Sequence, residues 1–374
     1  MQYSVDDLVR LAKRDNNNIR PYLYVNPIQG KHIPTNPEDT MMMCRTLANM
    51  VNETYPSDRL FVIGFAETAT GIAAGVCHYL DNVAFYQNTT REYMKNEEYL
   101  YFTESHSHAT DQMLRTNGIG SCLEKVDRVI FIDDEVTTGN TICKLADILK
   151  EKYETKEVKF SIVSILNSMT NLRVNQLEDE GIECIFISDL PFEYKKDSIM
   201  DLAYEESRYT LCKSDKPVDI ECVEFDTTVN VRNAVPFSDY EKETERFANE
   251  IENSIGYERY SDILVLGTEE CMYSAIRLGE ILNRDGAAEK VRVHATTRSP
   301  IIASGIKDYP LIHRYQLRSV YDKARDTYVY NLRKYDKVII VTDTSVIAEG
   351  MSDLLAALRS VGNQNILVSR WHYS

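Results

Sequence analysis

The chain has 374 residues, 43% hydrophobic and 27% charged, with a formal net charge of −16 at pH 7. Its length predicts two domains, and its acid excess disfavours a broad nucleic-acid surface, which would be basic. No apolar run is long enough for a bilayer, Met1 to Asp7 lack a signal-peptide pattern, and the eight scattered Cys form no Cys-x-x-Cys pair. No membrane partner, no nucleic acid and no zinc site are therefore expected, and a reducing cytoplasm is.

In chain order, residues 4 to 14 read as a short helix capped by Ser4, with Val5, Leu8, Val9 and Leu11 apolar. Tyr22 to Val25 is strand-like. Asn26 to Thr35 is punctuated by Pro and Gly and, by itself, reads as an exposed edge turn carrying Lys31 and His32. Asn36 and Pro37 open a helix running to about Val51. Leu60 to Gly64 is an apolar, buried strand, and Phe65-Ala66-Glu67-Thr68-Ala69-Thr70-Gly71 leads from it into a helix. A strand, a turn of small residues and a helix N-terminus together imply an anion pocket.

Val83 to Tyr86 is a third strand, and Thr89-Thr90-Arg91 stands just beyond its end. Residues 92 to 120 show little periodicity, and a loop that long inside a compact domain is usually functional. His106 and His108 lie two apart and would share one face of a strand. A metal pair, a proton donor and solvated polar residues all fit them; no further ligand stands at a typical metal spacing.

Val129-Ile130-Phe131-Ile132 is the strongest strand of the chain, apolar as a strand buried on both faces should be. Asp133 and Asp134 stand at its carboxyl end. Thr137-Thr138-Gly139-Asn140-Thr141 forms a hydroxyl-rich turn, and Ile142 to Leu149 continues with helical spacing. The turn's N–H groups and the helix's positive end suit a phosphate. The two acids suit sugar hydroxyls, a metal or a cationic transition state. Strand Val158 to Leu166, helix Leu172 to Glu180 and strand Glu183 to Ile187 follow, so a parallel sheet covered on both faces is expected, with its ligand crevice at the strand carboxyl ends.

The pattern weakens from Ser188 to about Pro236 and then repeats. Ile263 to Glu270 parallels Phe61 to Glu67, Thr296-Thr297-Arg298 parallels Thr89-Thr90-Arg91, and Tyr335 to Asp343 parallels Val126 to Asp134. After Asp343 the copy has Thr344 to Gly350, including apolar Ile347 and acidic Glu349, in place of the Thr/Gly turn.

The central run resembles the binding signature for 5-phosphoribosyl 1-diphosphate (PRPP) in type I phosphoribosyltransferases: an apolar strand, two acids, two variable positions, then Thr-Thr-Gly-x-Thr. The resemblance implies that Asp133 and Asp134 are catalytic and sit by the ribose hydroxyls. It implies that Thr137, Thr138, Gly139, Asn140 and Thr141 cradle the 5-phosphate. Glu67, Thr68, Ala69, Thr70 and Gly71, with Arg91, would hold the diphosphate, and the 92–120 loop would close over the substrate. Two positions depart from the family, Glu135 and Asn140, where an apolar residue and Gly are usual. Asn tolerates a left-handed backbone nearly as well as Gly, whereas Glu135 is an extra charge without an assigned role.

Ala295-Thr296-Thr297-Arg298-Ser299-Pro300-Ile301 resembles the TRSP domain that follows a phosphoribosyltransferase domain in proteins of bacterial tellurite-resistance-type gene clusters. Gly30 to Pro34, Glu104 to His108 and Asp133 to Glu135 resemble the same subgroup. This implies that Lys31, His32, His106 and Arg298 line a pocket, with His108 a further acceptor or lid candidate; the repeat adds Arg314 as a candidate on the acceptor side.

The expected fold class is therefore α/β: two tandem phosphoribosyltransferase-like parallel-sheet domains, residues 1–220 with the intact motif and 221–374 a degenerate TRSP-type copy. The expected activity is that of a pentosyltransferase acting on PRPP and a nucleobase-like acceptor, in either direction, in biosynthesis of a nucleoside-like compound. Mg2+ would be held mainly by PRPP, with Asp133 and Asp134 in reach. A homodimer stays open. A non-catalytic PRPP-binding regulator and a PRPP-forming diphosphokinase are the rival readings; the intact motif of the latter family lies in its second unit, not its first.

Overall fold

The structure is a computed structural model. It describes residues 3–15, 20–102, 112–155, 157–190, 199, 202, 205–214, 220–256, 259–344 and 349–373. In chain order the first elements are α1 (Val5–Leu8), β1 (Arg10–Lys13), β2 (Tyr22–Val25), α2 (Pro37–Thr54), β3 (Leu60–Gly64), α3 (Ala69–Cys77) and β4 (Val83–Asn88). Then come β5 (Tyr99–Tyr101), β6 (Met113–Arg115), α4 (Ile119–Leu123), β7 (Arg128–Val136), α5 (Asn140–Tyr153), β8 (Lys159–Asn167), α6 (Asn171–Asp179) and β9 (Ile182–Asp189). The chain continues through β10 (Tyr209–Leu211), β11 (Cys222–Thr227), β12 (Val235–Pro236), α7 (Phe237–Ile255), β13 (Tyr260–Gly267), α8 (Tyr273–Arg284) and β14 (Ala288–Ala295). It ends with β15 (Arg314–Arg318), β16 (Asp326–Tyr330), β17 (Lys337–Thr342), α9 (Glu349–Ser360) and β18 (Ile366–Tyr373).

These elements form two compact units. The first comprises residues 1–3, 41–192 and 229–243; the second comprises 4–40, 193–228 and 244–374.

In the first unit a six-stranded sheet runs β12-β4-β3-β7-β8-β9. All its pairings are parallel except that of β12 on β4. The apolar runs of β3 and β7 are buried, as strands covered on both faces must be. Ile142, Leu145, Ala146 and Leu149 recur at helical spacing along α5 and pack with Phe131, Phe160 and Leu177. Gly64 ends β3 because nothing larger fits: a Cβ there would lie 2.6 Å from that of Ala73. Chain order moves from β3 to β4 on one side and then to β7 on the other, so the sheet reverses direction at β3. In such sheets ligands bind beside that reversal, at the strand carboxyl ends.

The second unit holds a wholly parallel sheet, β11-β18-β17-β13-β14. Its strands β14-β13-β17-β18 follow the same spatial order and sense as β4-β3-β7-β8. A smaller sheet, β10-β15-β16, and the antiparallel pair β1-β2 belong to this unit as well. Trp371 packs with Phe225 and Phe247 at ring distances of 5.2 and 5.6 Å.

Several local expectations are corrected. Residues 4–14 are not one helix. Ser4 and Asp7 close a capping box over the single turn of α1, and β1 then pairs with β2, Arg10 opposite Val25. Pairing across the strands overrides the apolar spacing. The Gly30–Pro34 turn is not exposed: Lys31 and His32 are buried, and Thr35 bridges to Val293. The described part of 92–120 is not irregular, since β5 and β6 form an antiparallel pair and α4 follows. Its tip, with Glu104, His106 and His108, lies outside the described residues. Finally, β7 runs on through both acids to Val136.

Candidate functional site

The first unit gathers the sequence motifs at the carboxyl ends of β3, β4 and β7. The turn after β7 is left-handed at Gly139, with φ 72° and ψ −4°, not at Asn140. Gly takes that backbone at no steric cost. Asn140 opens α5, and its backbone N–H donates to Thr138 Oγ1 over 3.3 Å. Thr137, Thr138, Asn140 and Thr141 thus surround a helix N-terminus, a natural seat for an anion.

Asp133 and Asp134 are partly buried beside this turn. The Asp134 N–H donates to Asp133 Oδ1 over 2.9 Å. Burial pushes the Asp133 carboxyl well above the usual carboxylate range; the Asp134 charge, a side-chain hydrogen bond between the two acids and the Glu135 charge push it the same way. Two acids crowded together share a proton readily and would relax next to a cation or hydroxyl donors. Glu135 has a visible partner, because its Oε1 accepts from Ser168 Oγ over 2.8 Å. The Ser168 N–H also donates to the Val136 carbonyl over 2.8 Å, so the pair ties the end of β7 to that of β8.

The second turn is enclosed. The Ala66–Glu67 peptide is cis, and the Ala66 N–H donates to Thr89 Oγ1 over 2.8 Å. Thr70 Oγ1 donates to the Glu67 carbonyl over 3.1 Å, and Ala69, Thr70 and Gly71 are buried in the first turn of α3. Thr68 stands before the helix in helical conformation and makes no side-chain cap. Arg91 lies half-buried beyond β4.

Two buried arginines here escaped the sequence reading. Arg232 Nε donates to Thr90 Oγ1 over 3.3 Å, on a segment that runs along β4: the Asn88 N–H donates to the Val231 carbonyl over 2.7 Å, and Val235 pairs with Tyr86. Arg115 is 1% exposed, with Nη1 3.7 Å from Glu97 and its guanidinium 5.9 Å from the Tyr99 ring centre. Arg232 sits in Asn230-Val231-Arg232-Asn233, which reads as a crossing segment because two β12 residues are too few to show periodicity. Arg173, whose side chain reaches the Thr137–Thr141 turn from α6, carries no local signal either.

Lys31, His32 and Arg298 belong to the second unit. There Arg298 meets a buried carboxylate, Glu269, at the carboxyl end of β13, and His32 is buried with its ring 6.5 Å from that of Tyr330. Glu269 accepts from Arg298 Nε over 2.7 Å, Arg325 Nη2 over 3.0 Å and Ser319 Oγ over 2.5 Å. Lys31 Nζ donates to the Glu269 carbonyl over 2.8 Å. Glu269 holds a left-handed backbone, φ 45°, which side-chain-bearing residues rarely adopt. The Asp343 carboxylate, standing where Asp134 stands in the first sheet, accepts from Tyr321 Oη over 2.5 Å and Tyr373 Oη over 3.0 Å. Arg314 pairs with Asp15 over 2.8 Å and lies 4.4 Å from the Tyr209 ring centre.

A parallel α/β sheet with paired acids and a hydroxyl-rich turn beside its point of reversal is an arrangement suited to a phosphorylated ligand. Residues 8–188 match the family described as phosphoribosyl transferase, and residues 233–358 match the TRSP domain found C-terminal to it. The chain belongs to that phosphoribosyl transferase family, of the pentosyltransferase class, in its TRSP-bearing form. Similar solved structures include an adenine phosphoribosyl transferase from Trypanosoma brucei in complex with AMP, pyrophosphate and ribose-5-phosphate. It is 15% identical, over 49% of this chain and 76% of that one, at a TM-score of 0.35. A Giardia lamblia APRTase complexed with 9-deazaadenine is 11% identical over 51% of this chain and 99% of that one, at 0.35. A hypoxanthine-guanine phosphoribosyltransferase from Bacillus anthracis is 16% identical over 42% and 81%, at 0.25. No curated protein matches the chain. No described helix is long and apolar enough to cross a membrane.

Proposed function

We propose that the chain transfers a phosphoribosyl group between PRPP and a nucleobase-like acceptor, with magnesium, in a cytoplasmic biosynthetic route. The observation that carries this reading is the unbroken sequence of Asp133, Asp134, the left-handed Gly139 and the α5 N-terminus at the carboxyl end of one buried strand. Thr137 to Thr141 hold the 5-phosphate. Asp133 and Asp134 hold the ribose hydroxyls and stabilise positive charge developing on the sugar. The Glu67 to Gly71 turn takes the diphosphate, with Arg91, and Arg232 and Arg115 add positive charge along β4.

Magnesium fits the donor set. Asp133 and Asp134 offer hard oxygen ligands whose mutual repulsion a cation would relieve. The cation would come mostly coordinated by the phosphates of its substrate, as a hard and reluctantly dehydrating ion prefers. When bound it would neutralise charge on the departing diphosphate.

We read the second unit as a degenerate copy that does not bind PRPP. The shared strand order supports this, as do the tyrosines on Asp343 and the acid at Glu349. Incubation of the full chain with PRPP, magnesium and a panel of nucleobases tests the transfer. Base-dependent release of diphosphate is expected. PRPP binding without turnover on any base would favour the non-catalytic regulator.

A further inference from the structure

We infer that Arg173 is a positioning residue for the 5-phosphate turn, acting through Thr138 and Asn140; this rests on the phosphoribosyl reading of that turn. Arg173 lies in the first turn of α6, where its N–H donates to the capping Thr170 Oγ1 over 3.3 Å, so its backbone is held. Its guanidinium reaches across to the neighbouring turn. Nε donates to the Thr138 carbonyl over 3.0 Å, and Nη2 donates to Asn140 Oδ1 over 3.4 Å. Nη1 lies 3.8 Å from Glu180. One planar fork therefore spans Gly139, gripping the residue before it and the residue after it.

The physical need for this grip comes from Gly139 itself. A glycine passes easily between left- and right-handed backbones, so the Thr138–Gly139 peptide can flip at little cost. One orientation offers N–H groups to a phosphate; the other would present a carbonyl, which repels it. Committing the Thr138 carbonyl to Arg173 disfavours the flip before any ligand arrives, which is how preorganisation raises affinity. The same geometry gives Asn140 a purpose. Where the signature usually has Gly, this chain has an amide that serves as the second handle for the fork. Lys could not reproduce it, since an ammonium is a point donor without the fixed fork.

Calorimetry on the full chain, with ribose 5-phosphate and magnesium diphosphate as separate probes, tests the inference. Arg173→Ala should weaken ribose 5-phosphate roughly tenfold, as expected for a group acting through another, and leave magnesium diphosphate unchanged. Arg173→Lys should recover only part of the loss. Asn140→Gly should weaken ribose 5-phosphate in the wild-type background and add little to Arg173→Ala, because both changes break one unit. In turnover, KM for PRPP should rise in Arg173→Ala while kcat stays within about twofold of wild type. Unchanged ribose 5-phosphate affinity in Arg173→Ala overturns the inference. So does equal weakening of both probes, which a general loosening of the fold would produce. A wild-type chain that binds neither probe overturns the phosphoribosyl reading itself, a distinct result from a wild type that binds and a variant that binds equally well.

Discussion

Asp133 and Asp134 are joined by one peptide bond, so the charge of each acts directly on the other. Burial and the Asp134 charge raise Asp133 well above the usual carboxylate range. Asp134→Asn removes one of those charges with little change of shape. Activity should fall by about a hundredfold, the scale of losing one electrostatic partner of a transition state. The Asp133 carboxyl should meanwhile move back toward its ordinary range; diphosphate release and a carboxyl-resolved NMR titration check the two halves of this expectation. Arg298 carries a different kind of prediction. Its guanidinium is committed to Glu269, which is fully buried, so Arg298→Ala leaves a buried carboxylate with one cation fewer. Breaking such a pair should destabilise the second unit by about 3 kcal/mol, read by denaturant unfolding. A loss below about 0.5 kcal/mol would mean that Arg325 and Ser319 alone satisfy Glu269.

Strand β14 supplies a pH-dependent element. His294 is buried on it, its Nε2 2.9 Å from the Tyr330 carbonyl. Burial pushes its pKa down to about 4, and the nearby Lys31 charge acts in the same direction. The unfolded chain therefore binds more protons than the folded one between about pH 4 and 6.5. Stability should fall as pH drops through that window, by up to about 3 kcal/mol at its lower end. His294→Gln should lose this slope; equal slopes in the two proteins, measured by denaturant unfolding at several pH values, would contradict it. The elements themselves differ in how openly the sequence declares them. The buried strands β3, β7, β13 and β17 are continuous apolar runs, and α5 follows helical spacing, so each is readable from a short window. The β1 strand is not, because Val5, Leu8, Val9 and Leu11 fit a helix until β2 pairs with it. The Lys31 turn is hidden for the same reason: its burial comes from partners at Glu269 and Val293, more than two hundred residues away. Arg173 and Arg232 matter only through neighbours on other elements, a relation no local pattern records.

On the scale of the whole molecule, two sheets share a strand order, but only the first has the Thr-Thr-Gly-Asn-Thr sequence after its central strand. In the first, Gly139 and the α5 N-terminus follow the paired acids. In the second, the single acid Asp343 is already occupied by Tyr321 and Tyr373. Asp343→Asn should leave PRPP affinity within about twofold of wild type, since no charge needed for the phosphate is removed. A strong loss with normal melting would show that the second unit binds PRPP as well. The most direct test of the central claim is a calorimetric titration of the full chain with PRPP and magnesium, repeated on Thr138→Ala and Gly139→Val. The predicted result is one site per chain, weakened in both variants by about 1.5–3 kcal/mol or more, the loss of hydrogen bonds to a charged group. Unchanged affinity in both variants, two equivalent sites, or no binding by the wild-type chain would contradict it.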